Sequence, residues 1–173
     1  MLRPFDPLLI TLAAVPPESR VLDAGCGEGV HTQPLAQLGF DVWACDSNET
    51  AVEKTRDRIG ETIGREEAVR RVAHARPDAL GYPDGYFHWV VAHLTLDALT
   101  TESERVDTLA ELQRVMYDGA WLFVTSEVMG EGEVQSVGEV AGLAVARRPR
   151  KHTDGPGEVT WAVFRKVGSD TIG

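Results

Sequence analysis

The chain has few cysteines, no long apolar run and no metal-ligand spacing at its cysteines. Its 173 residues include two cysteines, too few for a disulfide framework and without a histidine pair at metal-ligand spacing. No apolar run is long enough to cross a bilayer, and the N-terminus lacks the charged-then-apolar pattern of a signal peptide. The sequence therefore predicts a cytoplasmic protein with no membrane partner and no bound metal.

Basic residues are also scarce. The chain has 17 Lys and Arg residues against 27 Asp and Glu residues, which gives a formal net charge of −10 at pH 7. A nucleic-acid surface needs a basic patch that neutralises phosphates, so nucleic acid is not expected as a partner. One basic cluster, at residues 147–152, lies on either side of Pro149 and is interpreted as the solvated end of a hairpin.

The chain does contain a glycine loop between an apolar strand and a helix. Residues 21–29 read Val-Leu-Asp-Ala-Gly-Cys-Gly-Glu-Gly. Because glycine lacks a Cβ atom, the chain can turn sharply here and a ligand can lie against the backbone. Asp46 follows Gly25 by twenty-one residues, at the end of the second predicted strand. About 20 residues is the separation expected between a glycine loop and an acid that binds ribose, so the sequence predicts a nucleoside site.

The spacing of the glycines separates two nucleoside ligands. The dinucleotide fingerprint is G-x-G-x-x-G, but here the third glycine, Gly29, comes one position early and Val30 stands in the last place. The loop is therefore G-x-G-x-G, preceded by Asp23. Two alternatives stay open at this point, a nicotinamide dinucleotide site and a glycine turn that binds no nucleoside.

Strand-like and helix-like segments alternate along the chain, which is typical of βαβ units in a parallel sheet. Strands are expected at 20–23, 42–45, 69–75, 89–93, 120–125, 143–148 and 159–167, and helices over 5–15, 31–38, 49–59, 102–116 and 133–141. Residues 60–70 are expected to be either helix or loop. The last two strands predict a C-terminal hairpin, and Tyr82 and Tyr86 are expected beside the nucleoside site.

The segment with Asp23, the three glycines and Asp46 resembles the first motif of the class I S-adenosylmethionine-dependent methyltransferases. The resemblance covers residues 18–167 and includes residues 82–87, similar to the family's loop before the fourth strand, and 111–116, similar to its E-x-x-R-v-L helix. It implies a single methyltransferase domain over 1–173, with 1–17 as an N-terminal helix or lid segment. It also implies an α/β fold whose doubly wound, mostly parallel seven-stranded sheet ends in an antiparallel hairpin.

The resemblance implies S-adenosylmethionine as cofactor, S-adenosylhomocysteine as product, and a set of binding residues. The residues expected to bind the cofactor are Asp23, Gly25, Cys26, Gly27, Gly29, Asp46, Ser47, Asp78, Ala79 and His93. The backbone of the glycine loop and of residues 92–93 is expected to approach the methionine part. Asp23 is expected to organise the loop or bind the amino group through water, Asp46 to bind the ribose hydroxyls, and Ser47 to lie along the adenine.

The sequence departs from the family's pattern at the adenine pocket. The family's acid after the third strand aligns with Arg76, whereas Asp78 and Ala79 supply an acid and an N–H if the loop shifts by two residues. Asp78 is preferred and Arg76 stays open, as does a degenerate member of the family that binds no cofactor. His88 and the turn at 117–120 also depart from the pattern, and these changes are expected to affect stability more than chemistry.

Methyl transfer from a sulfonium needs orientation of the reactants more than acid–base chemistry. A general base is required only if the acceptor holds its proton at neutral pH. The candidates are His93, at the carboxyl end of a strand where ligands bind, and His31, in the first turn of a helix and expected at the surface. The predicted reaction is in-line displacement onto an unidentified small-molecule acceptor.

Two alternatives to this function stay open. The first is a non-catalytic S-adenosylmethionine-binding protein or partner subunit with the same fold, and the second is an enzyme that uses the decarboxylated cofactor. The predicted lid is small, which leaves room for an open site, a large acceptor or closure of the site by the partner of a homodimer.

Overall fold

Seven strands form one sheet in the computed structural model, which describes residues 3–168. The strands are β1 (Arg20–Ala24), β2 (Asp41–Asp46), β3 (Val72–His74), β4 (Phe87–His93), β5 (Met116–Ser126), β6 (Leu143–Asp154) and β7 (Gly157–Lys166). The helices are α1 (Asp6–Ala13), α2 (Thr32–Gln37), α3 (Glu49–Ile63), α4 (Arg65–Arg71), α5 (Glu102–Val115) and α6 (Glu131–Val140), with a 3₁₀ helix at Thr95–Ala98. None of these helices is long and apolar enough to cross a membrane.

The strand order is β3-β2-β1-β4-β5-β7-β6. Strands β1 to β5 are parallel, and β7 runs antiparallel to both of its neighbours, β5 and β6. The chain moves outward in one direction from β1 to β3 and in the other from β4 onward, so the order reverses between β1 and β4. Ligands of such sheets bind outside the carboxyl ends of the strands at this switch point. The predicted doubly wound sheet with a C-terminal antiparallel hairpin is confirmed.

Alternate strand residues point to opposite faces of the sheet, so both faces carry apolar side chains. Helices cover each face and bury these side chains. On one face Val21, Val42 and Val91 pack with buried residues of α1, α2 and α3. On the other face Leu22 and Val90 pack with buried residues of α5 and α6. These two cores fix the positions of the strand ends, and therefore of the loops that follow them.

Several element boundaries differ from the sequence-based expectation, and those of β3, β5 and β6 have clear physical reasons. β3 begins at Val72 rather than 69, because 65–71 form helix α4 after a break at Gly64, whose φ is +90°. β5 begins at Met116 rather than 120, because Met116 pairs with Phe87 and the strand continues through the expected turn. β6 extends through Pro149 to residue 154, because register shifts on this edge strand accommodate the missing proline N–H.

Candidate functional site

A cavity of about 500 Å³ lies at the carboxyl ends of β1, β2 and β4. Its walls are formed by Gly25, Asp46, Ser47, Arg76, Pro77, Asp78, His93, Leu94, Thr95, Ala98, Leu99 and Thr108. These walls bring together five of the residues predicted to bind a cofactor from four separate stretches of the chain. The position matches the switch point of the sheet.

The glycine loop turns sharply after β1 and is held by backbone hydrogen bonds to β2. The Gly25 and Cys26 N–H groups both donate to the Cys45 carbonyl, each at 2.9 Å. Gly25 has φ of +77°, and a Cβ atom on it would lie 2.8 Å from Thr95 Oγ1. Thr95 itself donates a hydrogen bond of 2.6 Å to the Ala24 carbonyl. Since both N–H groups are engaged inside the protein, Gly25 offers a ligand its Cα surface rather than a donor.

Asp46 joins the glycine loop to the end of β2. Its Oδ2 accepts the Gly27 N–H at 2.9 Å, and its Oδ1 accepts the Asn48 N–H at 2.8 Å. Each carboxylate oxygen can accept a further hydrogen bond, so the side chain can also take two hydroxyls from the cavity. No atom lies within 4 Å of the place where a Cβ of Gly27 would be, so the space beside the loop is open.

Gly29 and Cys26 hold the loop against α3 and are absent from the cavity wall. A Cβ on Gly29 would lie 3.1 Å from Thr55 Oγ1 and 3.3 Å from Thr55 Cα. Thr55 Oγ1 donates to the Gly27 carbonyl at 2.8 Å and lies 3.7 Å from Cys26 Sγ. Burial raises the pKa of the Cys26 thiol far above its ordinary value, so the thiol stays protonated.

Asp23 lies behind the loop, with 1% of its surface exposed. Its Oδ2 accepts a hydrogen bond of 2.7 Å from the hydroxyl of Thr32, the first residue of α2. Burial raises the pKa of Asp23 from 3.8 to about 6, although the bond from Thr32 opposes this shift. Asp23 therefore ties the end of β1 to the start of α2 and titrates close to neutral pH.

Both adenine-pocket candidates line the same end of the cavity. Arg76 donates to Asp78 through Nε at 2.9 Å and through Nη2 at 2.5 Å, and this pairing lowers the pKa of Asp78. Ala79 is exposed and is not among the wall residues, and its N–H donates to the Arg76 carbonyl at 3.1 Å. Ser47 stands at the rim, where its carbonyl lies 2.9 Å from His74 Nε2.

His93 is the last residue of β4 and forms part of the cavity wall. Its Nδ1 lies 2.9 Å from the hydroxyl of Thr125 on the neighbouring strand. The same hydroxyl accepts the N–H of Leu94 at 2.9 Å. Leu94 has φ of +55°, a left-handed conformation that is uncommon for a leucine and holds the backbone turned at the strand end.

The expected surface position of His31 is wrong. The imidazole is 5% exposed, and its Nε2 accepts the Phe5 N–H at 2.8 Å. Its ring centroid lies 4.3 Å from that of His93. Burial and the neighbouring His93 lower the pKa of His31 from 6.5 to about 3, so His31 is neutral and its Nε2 lone pair is engaged.

The N-terminal segment covers the His93 side of the cavity. The buried Phe5 ring has its centroid 5.7 Å from His93, 6.3 Å from Phe123 and 5.3 Å from His152. His152 belongs to β6, so the end of the C-terminal hairpin meets the start of the chain here. This contact positions the lid segment expected at 1–17, whose residues 1 and 2 lie outside the described part.

Tyr82 and Tyr86 do not reach the cavity wall. Their rings pack on each other, on Trp43 and on Phe87, at centroid distances of 5.0 to 6.3 Å. Arg20 lies over the Tyr86 ring at 4.0 Å. Both tyrosines therefore pack against Trp43 and Phe87, and neither is among the residues of the cavity wall.

A model of the methyltransferase domain matches residues 21–119, which contain the glycine loop, β2, β4 and most of the cavity wall. The chain belongs to the methyltransferase domain family. The prediction of a methyltransferase, an enzyme, is confirmed at the level of the family. The acceptor is not identified by the match.

Known proteins similar to this family member differ widely in length and in named activity. A probable non-canonical nonribosomal peptide synthetase of Salinispora arenicola is 30% identical over 105 residues, which cover 61% of this chain. The chain spans only 1% of the length of that synthetase. Two solved structures share the fold, one a magnesium protoporphyrin IX methyltransferase from Synechocystis with bound S-adenosylmethionine and the other a [4+2]-cyclase, SpnF. Identity to the first is 20% over 93% of this chain and 77% of that one, with a TM-score of 0.76. The cyclase is 17% identical to this chain, and the match covers 94% of this chain and 82% of the cyclase, with a TM-score of 0.76.

Three residues of the site escaped the sequence-based prediction. They are Phe5, Thr95 and Thr125. Phe5 bonds to His31 across 26 positions of the chain, Thr95 to Ala24 across 71 positions and Thr125 to Leu94 across 31 positions. Phenylalanine and threonine at these places carry no local motif, so no pattern within the sequence could have singled them out. Among the described residues, no three His, Cys, Asp or Glu side chains cluster closely enough to hold a metal ion.

Proposed function

We propose that the cavity holds S-adenosylmethionine and that the chain transfers its methyl group to a small-molecule acceptor. The observation that carries this proposal is Asp46, a residue of the cavity wall whose two carboxylate oxygens are each fixed by one backbone N–H. Fixed carboxylate oxygens suit the two adjacent hydroxyls of a ribose. The open space beside Gly27 suits close approach of a ligand to the backbone.

The remaining wall residues fit the other parts of the cofactor. Ser47 and Asp78 stand at the end of the cavity proposed for adenine, with Arg76 holding Asp78 in place. The backbone at residues 92–93 and the surface of Gly25 are proposed to contact the methionine part. Asp23, Cys26 and Gly29 support this arrangement from behind the loop, since none of them is in the cavity wall.

When bound, the cofactor supplies a methyl group already activated on a sulfonium. The protein then contributes orientation, by holding the acceptor in line with the methyl group and the sulfur. Of the two predicted histidines, His93 is the one proposed to touch the acceptor, because Nε2 of His31 accepts the Phe5 N–H. Phe5 and the lid segment at 1–17 are proposed to exclude water from the methyl group.

Several broader expectations belong to the same proposal. Residues 1–173 are proposed to form one methyltransferase domain that acts in the cytoplasm, which the two buried free thiols support. The net charge of −10 favours a partner other than nucleic acid. A homodimer that closes the site stays a prediction.

The second candidate is a protein of the same fold that binds the cofactor without transferring a methyl group. The structural likeness to a [4+2]-cyclase favours keeping this candidate. Formation of S-adenosylhomocysteine separates the two candidates, because only methyl transfer produces it. Acceptor-dependent formation of S-adenosylhomocysteine supports the proposed function, and a protein that binds S-adenosylmethionine but never converts it is the second candidate. Folded protein that does not bind the cofactor contradicts both.

A further inference from the structure

A cavity of about 600 Å³ lies at the amino ends of β4 and β5, and we call it the amino-end cavity. Its wall includes His88 and Trp89 at the start of β4 and Trp121 of β5. His93, in the wall of the cavity proposed for the cofactor, ends the same strand β4. A strand rises about 3.3 Å per residue, so His88 and His93 are roughly 16 Å apart along β4. The two cavities are therefore separate sites at opposite ends of the sheet.

Two departures from the methyltransferase pattern meet in the amino-end cavity. At His88 and at 117–120 the sequence predicts an effect on stability, and the structure places both in the wall of this cavity. His88 Nδ1 accepts the Arg20 N–H at 2.9 Å, and the His88 ring lies 4.8 Å from the ring of Tyr117. These contacts hold one end of the wall in place.

Much of the remaining wall is apolar and aromatic. The indoles of Trp89 and Trp121 are stacked, with centroids 5.8 Å apart and planes 18° apart, and Trp121 is the more exposed of the two. Val15 and Val163 add aliphatic surface. Aromatic rings favour further rings in offset or edge-to-face contact, so this wall suits a flat aromatic molecule.

Positive charge stands beside the aromatic wall. Arg147 lines the cavity, and its Nη1 donates to Thr11 Oγ1 at 3.5 Å. The Arg165 guanidinium lies 5.1 Å from the Trp121 ring, and its Nε donates to the Gly119 carbonyl at 3.3 Å. Neither arginine forms an ion pair with a carboxylate in the described part of the chain. In a chain of net charge −10, these two guanidinium groups leave a local excess of positive charge.

The carboxylate in the same wall does not offset this charge. Asp118 Oδ1 lies 3.7 Å from Lys166 Nζ and is already paired with that ammonium. By contrast, Arg76 and Arg114 elsewhere in the chain form ion pairs with neighbouring carboxylates. The amino-end cavity thus combines an aromatic wall with a guanidinium that can bind an anion.

We propose that the amino-end cavity is a second ligand site and that it takes a planar aromatic carboxylate. The ring of the ligand packs on the indoles of Trp89 and Trp121, and its carboxylate accepts hydrogen bonds from Arg147. Strand β6, which carries Arg147, lies two strands from β5, or about 10 Å, so one two-ring acid can make both contacts. This site is independent of the proposed methyl transfer.

The ligand class is tested by calorimetric titration with three probes of similar size. They are 2-naphthoate, the neutral 2-naphthamide and the saturated decalin-2-carboxylate. We expect 2-naphthoate to bind one molecule per chain, about tenfold more tightly than the amide. It should also bind about fivefold more tightly than the decalin acid, which lacks the planar ring.

Two arginine variants and the tryptophan signals locate the site. Arg147→Gln is expected to remove the preference for the acid over the amide, whereas Arg148→Gln, a change at an exposed neighbour outside the cavity wall, should keep it. In nitrogen-15 NMR of the four indoles, 2-naphthoate should shift the signals of Trp89 and Trp121. The signal of Trp43, which lies outside this wall, should not move.

Each alternative result overturns the proposal. The amide binding as tightly as the acid excludes an anion site, and the decalin acid binding as tightly as 2-naphthoate excludes an aromatic one. Equal preferences in Arg147→Gln and Arg148→Gln, shifts at Trp43 instead of Trp89 and Trp121, or no binding of 2-naphthoate to the folded protein exclude this cavity as its site. None of these results bears on the cofactor, whose binding is measured separately.

Discussion

Gly27 and Asp46 stand 19 residues apart and are joined by a hydrogen bond of 2.9 Å from the Gly27 N–H to Asp46 Oδ2. The other oxygen of the same carboxylate accepts the Asn48 N–H at 2.8 Å. One side chain thus fixes the glycine loop, the start of α3 and one wall of the cavity. The shape of the loop and the binding of a ribose are therefore coupled through Asp46.

Gly25 and Gly27 are expected to respond differently to the same substitution. Gly25→Ala is expected to lower the free energy of unfolding by about 2–4 kcal/mol, because its Cβ meets Thr95 and its φ is unfavourable for alanine. Gly27→Ala meets no atom within 4 Å and is expected to lose about 1–2 kcal/mol from φ alone. Urea unfolding of both variants checks this, and equal losses would contradict the close contact with Thr95.

His31 is expected to make the protein less stable in mild acid. Its pKa is about 3 in the fold and 6.5 ordinarily, so below pH 6.5 the unfolded chain binds a proton that the folded chain does not. The free energy of unfolding should then fall as the pH drops from 6.5 towards 3, by about 1.4 kcal/mol per pH unit.

The matched variant for this prediction is His31→Gln, which keeps an acceptor for the Phe5 N–H but does not titrate. Urea unfolding between pH 8 and pH 5 is the measurement. The stability of the wild type should fall relative to this variant below pH 6.5 and run parallel to it above. Parallel curves over the whole range would show that His31 is not held neutral.

Asp23 is expected to act in the opposite direction. Its pKa is raised from 3.8 to about 6, so the folded chain holds a proton that the unfolded chain has lost between these values. The stability that Asp23 contributes is present below pH 3.8 and is lost as the pH rises to about 6, by about 3 kcal/mol in total. Asp23→Asn keeps an acceptor for Thr32 without titrating.

The measurement for Asp23 is the free energy of unfolding of the wild type and of Asp23→Asn across pH. The Asn variant should gain stability relative to the wild type as the pH rises from 4 to 7, and the difference should then stay constant. A difference that does not change with pH would mean that Asp23 titrates normally and is not confined by burial.

Arg76 and Asp78 are expected to contribute unequally to cofactor affinity. Asp78→Asn should weaken the binding of S-adenosylhomocysteine by about tenfold, because the acid faces the end of the cavity proposed for adenine. Arg76→Gln should weaken it less, since Arg76 acts by holding Asp78 in position. Calorimetric titration of both variants decides this, and a larger loss for Arg76 would reverse the assignment.

Much of the fold was predictable because its signals are local. The glycine loop at 25–29 and Asp46 each follow an apolar strand, so their neighbours in sequence are enough to place them at the carboxyl edge of a sheet. The structure brings Gly25 and Asp46 to one cavity, as the spacing indicated. The C-terminal hairpin was predictable for the same reason, since two strands flank one polar turn.

The misplaced features depend on contacts that the sequence does not reveal. His31 resembles a surface residue of a helix start until Phe5, 26 residues earlier, packs over it and donates its N–H. The start of β5 moved because pairing of Met116 with Phe87 prevailed over the turn residues at 118–119. Tertiary pairing in both cases overrode a local preference.

The most direct test of the central claim is calorimetric titration of the protein with S-adenosylhomocysteine, with Asp46→Ala and Glu49→Ala side by side. Glu49 is an exposed carboxylate three residues further along, outside the cavity wall, and serves as the matched control. We expect binding that falls by about 100-fold in Asp46→Ala, the loss of two charge-assisted hydrogen bonds, and is retained in Glu49→Ala. Binding that is absent from the folded wild type, or equal in all three proteins, would contradict a ribose site at Asp46.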